Sequence, residues 1–200
     1  METLISGSGL IRWRGKLSWS DVTIAGEVDV KSINELAGKH EGEICYIVGK
    51  GISLSYITKD YFQEGVVLTL NQAIDLIEPL ELSNKIYSMQ KDHIVSPDTK
   101  YPILIHKFES VDEIGELDND FYLFDNTEFG LRWSNPSIMT AIKISQLMGC
   151  KKNKMISFDA LTHGDTRNTM GKAWDDYKVY RRFAGDLLNG VEWITPKERR

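Results

Sequence analysis

The sequence predicts a single α/β domain of doubly wound type, with a mostly parallel sheet and helices on both faces. Three observations carry this expectation. Ile44-Cys45-Tyr46-Ile47-Val48 and Val66-Val67-Leu68-Thr69-Leu70 are continuous runs dominated by apolar residues. Strands buried on both faces of a parallel sheet read this way, whereas half-wet strands alternate. After such runs the apolar spacing changes to three and four, as at Ile138, Ala141, Ile142 and Ser145, which makes a helical stripe suited to packing on a sheet. The two patterns alternate along the chain, as βαβ units require.

The elements follow in order. An N-terminal extension, 1–25, carries Trp13 and Trp19 among Arg12, Arg14 and Lys16. Its polar–apolar alternation from Leu10 to Ile24 reads as a strand or hairpin. Basic residues between tryptophans can stack on nucleic-acid bases, but an edge hairpin with both rings packed on the body is the preferred reading. Ser6-Gly7-Ser8-Gly9 reads as a flexible spacer. Ile33, Leu36 and Ala37 have helical spacing. The first buried strand ends at Gly49-Lys50-Gly51-Ile52-Ser53, which opens a short helix to Phe62. The second leads into a helix through Ala73, Ile74 and Ile77 that stops at Pro79.

Lys85 to Met89, Pro102 to His106 and Phe121 to Phe124 read as further strands, with a helical turn at Ile114 and Leu117. The clearest helix has Asn135 as N-cap, Pro136 at its first position and Gly149 to end it. A strand from Lys154 to Phe158 follows. The nucleotide-binding core is thus expected to span 43–163. A C-terminal helix and strand occupy 169–195, with Trp174, Tyr177, Tyr180, Phe183 and Leu187 as a core stripe and Val191 to Thr195 as the last strand.

Two hundred residues suffice for one large domain with a substantial core. The net charge of −5 offers no general attraction to phosphate backbones, which disfavours a nucleic-acid partner. Two cysteines cannot build a disulfide framework, and Cys45 lies in an apolar run as a small buried hydrophobe would. No apolar run reaches the length of a membrane span and no leader is evident, so a cytoplasmic protein is expected. Oligomeric state is left open.

In an open α/β sheet, ligands bind beyond the carboxyl ends of the strands, where strand order reverses. The candidate site residues are therefore Gly49 to Ser53, Asn71 and Gln72, Gln90, Asp125 and Asn126, and Asp159 to His163. Two glycines before a helix let a backbone approach phosphate. The turn lacks the P-loop pattern, and Leu54 stands where the dinucleotide fingerprint needs its third glycine. A tight turn without a ligand explains the same residues. Asn71 occupies the position at which NAD enzymes place an acid, so hydride transfer is disfavoured. Its amide suits a base, ribose or sugar phosphate, or simply caps a helix.

Arg132, Ser134, Asn135 and Ser137 precede or open the clearest helix and make a second expected anion site, although capping alone accounts for Asn135 and Pro136. Asp159, His163 and Asp165 surround the end of a strand, and a carboxylate-held histidine suits a general base. His40, His93 and His106 are expected on the surface or in loops. Asp118-Asn119-Asp120 has the D-x-D form of a metal–nucleotide site; an acidic turn is the commoner origin of such a triplet, and no metal is assigned.

The order of these pieces resembles that of the Rossmann-like bacterial sialyltransferases and the related pterin diphosphokinase-like proteins. Ile47-Val48-Gly49-Lys50-Gly51-Ile52-Ser53-Leu54 is similar to the family's G-N-G-P-S-L turn, and Leu70-Asn71-Gln72 to its C-N-x element. Arg132 to Gly149, followed by Met155-Ile156-Ser157-Phe158-Asp159, resembles its helix and last core strand. Lys50 replaces the usual Asn, Ile52 the usual Pro, and Asn135-Pro136 a Ser-Gly pair. The segment after Asp159 is shorter than in the sialyltransferases.

The resemblance implies a glycosyltransferase that moves a sugar from a CMP- or UDP-linked donor to an acceptor hydroxyl, with no tightly bound cofactor. Gly49, Lys50, Gly51, Ser53, Asn71, Gln72, Ser134 and Asn135 would hold the donor. Arg132 would neutralise phosphate and His163, beside Asp159, would act as base. The alternatives are a magnesium-dependent diphosphokinase-like enzyme using Asp118, Asp120 or Asp159, and a non-catalytic nucleotide- or nucleic-acid-binding accessory protein.

Overall fold

The structure is a computed structural model that describes residues 4–5, 10–12, 29–91, 94–106, 120–132, 134–159 and 185–198. The strands are β1 (Leu4–Ile5), β2 (Leu10–Arg12), β3 (Asp29–Ser32), β4 (Ile44–Val48) and β5 (Val66–Leu70). They continue with β6 (Lys85–Met89), β7 (Ile103–His106), β8 (Phe121–Phe124), β9 (Lys152–Ile156) and β10 (Glu192–Ile194). All ten form one sheet in the order β1-β2-β3-β8-β7-β6-β5-β4-β9-β10. From β3 to β10 every pairing is parallel, while β1 and β2 add an antiparallel hairpin at one edge. The doubly wound α/β expectation is met. Successive strands from β4 to β8 are laid down in one direction, then the chain returns to place β9 on the other side of β4. Strand order therefore reverses between β4 and β9.

Alternate residues of each strand serve opposite faces. Cys45, Ile47, Leu68, Met89, Leu104, Phe124 and Met155 pack beneath Ile138, Ala141, Ile142 and Ile144 of α2 (Ser137–Leu147). Tyr46, Val48, Val67, Ile86 and Ile156 pack on the other side against Leu54 and against Ile74 and Ile77 of α1 (Ile74–Ile77). Both sheet faces are thus covered, which is why the strands read as unbroken apolar runs. Among the described residues no helix is long and apolar enough to cross a membrane.

Several boundaries differ from expectation. The segments at Ile33–Leu36, Ile52–Tyr56, Lys59–Tyr61 and Glu78–Leu80 are single 3₁₀ turns, and α1 is one turn long. Strand β9 begins at Lys152 and ends at Ile156, two residues early. Its polar start obscures it in the sequence, yet each side chain there has a partner. Lys152 Nζ donates to Glu192 on β10 at 2.6 Å, Lys154 Nζ lies 5.6 Å from the Tyr46 ring centre, and Asn153 Oδ1 accepts from Ser145 Oγ at 2.6 Å.

Helix α2 ends as expected in a Schellman motif: Gly149 is left-handed at φ 84°, with Cys150 N–H donating to Ser145 O and Gly149 N–H to Gln146 O. At its start Pro136, not Asn135, is the N-cap residue, and no described side chain caps the first turn. The expected helical turn at Ile114 and Leu117, the tryptophans of the extension and the aromatic helix from 169 lie outside the described residues.

His40 is buried rather than on the surface. Its Nε2 is hydrogen-bonded to Tyr87 Oη at 3.1 Å, and its Nδ1 faces Glu43 at 3.3 Å. Burial, reinforced by Tyr122 and Glu43, pushes the Tyr87 phenol up to about 12. A phenol whose pKa is raised on folding stabilises the native state fully below its ordinary pKa near 10, and that contribution disappears as pH rises through 12. Urea unfolding between pH 10 and 12 is therefore expected to show a loss of about 2 kcal/mol. Tyr87→Phe should flatten that slope.

Candidate functional site

The reversal between β4 and β9 places the Gly49–Ser53 bend beside Ser157–Asp159, where a ligand was expected. The two loops close on each other instead. Gly49 N–H donates to Ile156 O at 2.8 Å and Gly51 N–H to Ser157 O at 2.7 Å. Asp159 accepts twice from Ser53, from its N–H at 2.6 Å and its Oγ at 2.7 Å. A Cβ on Gly49 would lie 2.8 Å from Ser157 O, and one on Gly51 only 2.5 Å from it. The glycines admit the neighbouring strand's loop, not a bare phosphate.

This corrects the assigned roles of three residues. The amides of Gly49, Gly51 and Ser53 are engaged within the protein. Asp159, 3% exposed, is the carboxylate that holds the N-terminal end of the Ile52–Tyr56 turn. A carboxylate is the natural acceptor there, because the first N–H groups of a helical turn have no partner within it. Ser157, between these contacts, adopts φ 58°, a strained value for a side-chain-bearing residue. Its Oγ is buried without a hydrogen-bond partner among the described residues.

The accessible part of this edge lies one strand further along. Lys50 is half-buried and its Nζ donates to Gln72 Oε1 at 3.1 Å, joining the ends of β4 and β5. Asn71, also half-buried, is left-handed at φ 51°, a conformation that asparagine tolerates better than most residues. Lys50 and Gln72 are thus brought together, with Asn71 next to Gln72 in the chain.

Beyond β6, Gln90 is fully buried. Its Oε1 accepts from Val95 N–H and Ser96 N–H, and its Nε2 donates to Ser96 O at 3.0 Å. Its role is to shape the following loop. Lys91, which the sequence did not single out, is buried with Nζ donating to Asn135 O at 2.7 Å, so it carries a positive charge to the entry of α2. Asn135 Oδ1 accepts from Arg132 N–H at 2.5 Å and its Nδ2 faces Met139 Sδ. Its side chain shapes the 132–135 turn instead of capping the helix. Arg132 and Ser134 are exposed at the same end.

His106 is the second histidine to depart from expectation. It ends β7 almost fully buried, and its Nε2 accepts from Asn126 N–H at 3.2 Å. Nε2 is therefore unprotonated and the ring proton sits on Nδ1. Asp125 Oδ1 lies 3.9 Å from the same nitrogen and accepts from Thr127 N–H at 2.9 Å. Asn126 accepts from Thr140 Oγ1 at 2.8 Å and donates to Arg132 O at 3.0 Å, tying the end of β8 to α2. One signal for His106 was available: it is the polar residue at the carboxyl end of a buried strand, the criterion that selected the other candidates.

Asp120 precedes β8 at the opposite, amino edge, where it is paired with Lys31. It cannot act on a ligand at the carboxyl edge. Among the described residues no group of three or more His, Cys, Asp or Glu is gathered to hold a metal ion. At the amino edge an open groove of about 810 Å³ is lined by His40, Glu43, Glu64, Asn84, Lys85 and Lys151; its charges are mixed. His93, Asp118, Asn119, His163 and Asp165 lie outside the described residues. The chain matches no known protein-family model, and no curated protein matches it at a significant level.

Proposed function

We propose that the protein is a glycosyltransferase-like enzyme that takes a nucleotide-sugar donor at the carboxyl edge of its sheet and passes the sugar to an acceptor hydroxyl. One observation carries this reading: the carboxyl edge holds Lys50 at the ends of β4 and β5, and Lys91 and Arg132 at an α2 start that no described side chain caps. The nearby carboxylates Asp125 and Asp159 accept from backbone N–H groups, of Thr127 and Ser53. An anionic donor fits such an edge. Lys50 and the first turn of α2 would face its phosphates, with Asn71 and Gln72 on the sugar or base. As the glycosidic bond to phosphate breaks, negative charge builds on the leaving oxygen, and fixed cations and helix dipoles stabilise it. His163 is retained as the acceptor's base.

The donor phosphate is accordingly assigned to Lys50 and α2, not to the closed Gly49–Ser53 bend. The magnesium-dependent alternative loses two of its carboxylates, since Asp120 lies at the other edge and Asp159 is held by Ser53.

A thermal-shift series with CMP, UDP, GDP and ATP, with and without Mg²⁺, tests the reading. A pyrimidine nucleotide at a hundred times its dissociation constant should raise the midpoint by roughly 5–10 °C without metal. Lys50→Gln should weaken that nucleotide about tenfold, and His163→Ala should abolish transfer while leaving binding intact. A midpoint that no nucleotide moves would remove the proposal.

A further inference from the structure

The two cysteines take no part in the proposed chemistry, yet the fold brings them together. Cys45 is the second residue of β4, fully buried on the face that α2 covers. Cys150 follows the glycine that ends α2, is partly exposed, and packs against the same core. Two backbone bonds fasten the chain on either side of it to the residues before β4: Gly42 N–H donates to Gly149 O at 3.0 Å and Lys151 N–H to Glu43 O at 2.9 Å. Each thiol is the first influence on the ionisation of the other, and Ser145 acts on both. Ser145 Oγ in turn donates to Asn153, the residue paired with Cys45 in the β4–β9 ladder. Helix end and strand thus bring the two cysteines into one part of the core that α2 covers.

We propose that Cys45 and Cys150 form a peroxide-responsive dithiol, in which Cys150 is attacked first and Cys45 resolves it to an intramolecular disulfide. The Cys150 thiolate attacks one oxygen of a hydroperoxide, the O–O bond breaks, and the departing hydroxide or alkoxide takes up a proton. Cys150 is then a sulfenic acid, oxidised by two electrons while the peroxide is reduced. The Cys45 sulfur attacks the Cys150 sulfur, the S–O bond breaks, and hydroxide leaves with the Cys45 proton as water. With hydrogen peroxide, one molecule is consumed and two waters form.

Exposure sets the order of events. Only Cys150 meets solvent, and only a small oxidant reaches a half-buried sulfur. Electrostatics agrees: the hydrogen bond from Cys45, aided by Ser145, holds the Cys150 thiol below its ordinary range against the opposing effect of burial. The same thiol–thiol contact together with full burial pushes Cys45 up. Thiolate character and access together favour Cys150 as the entry point.

The test treats the folded protein with stoichiometric hydrogen peroxide, then alkylates remaining thiols in denaturant and maps the peptides by mass spectrometry. The expected product is a Cys45–Cys150 cross-linked peptide lighter by two hydrogens, formed within one chain and reversed by dithiothreitol. In Cys45→Ala, Cys150 should persist as a sulfenic acid captured by dimedone. In Cys150→Ala, oxidation of Cys45 should slow at least tenfold. Full alkylation of both cysteines after peroxide would overturn the proposal. So would Cys150 carrying two oxygens without a cross-link, or a linkage found only between chains.

Discussion

Gly51→Ala is expected to destabilise the protein by about 3 kcal/mol. The backbone at Gly51 has φ −59°, which alanine adopts without strain, so the whole effect must come from contact. The new Cβ would lie 2.5 Å from Ser157 O and 2.8 Å from Asp159 Oδ2. Ser157 O is a backbone atom and cannot rotate aside. Relief requires lengthening the Gly51–Ser157 hydrogen bond and loosening the Ser53–Asp159 pair at the same time. Gly38→Ala is the control, because Gly38 is left-handed at φ 68° with nothing within 4 Å of the added carbon. Backbone strain alone should cost about 1 kcal/mol there. Urea unfolding of both variants measures the difference. Equal losses would mean that the two loops do not close as tightly as described.

Asp159→Ala should be comparably damaging, at about 3 kcal/mol, because it removes a buried acceptor of two hydrogen bonds. Ser53 is 4% exposed, so water cannot readily replace the lost partner. Asp159→Asn keeps one acceptor oxygen and should lose about half as much. The two roles considered for Asp159 separate here. A carboxylate serving only catalysis could be removed with little effect on stability, whereas one holding the Ile52–Tyr56 turn could not. Unfolding curves that overlay those of the unsubstituted protein would return Asp159 to the list of catalytic candidates.

Particular residues show which parts of the molecule were legible beforehand. Strands β4, β5, β6 and β8 appear at their expected positions, because burial on both faces writes itself as a local run of apolar residues. The pairing of Lys50 with Gln72 was also within reach, since consecutive parallel strands bring their carboxyl ends side by side. The start of strand β9 was missed because Lys152 and Asn153 take their partners from β10 and α2, and no local pattern encodes such partners. The burial of His40 and His106 was not legible for the same reason: a buried imidazole is identified by Tyr87 or Asn126, neither of which is its neighbour in sequence.

Apolar periodicity, a property of a few adjacent residues, by itself determined the α/β class, the strand-rich core and the edge on which polar groups collect. Tertiary structure alone decided what the glycine bend after β4 does. Ser53 meets Asp159 across 106 positions, and a contact of that range depends on which strand lies beside β4. Hydrogen bonds of similar local chemistry can serve a ligand or a neighbouring loop, and only the arrangement of distant strands chooses between them.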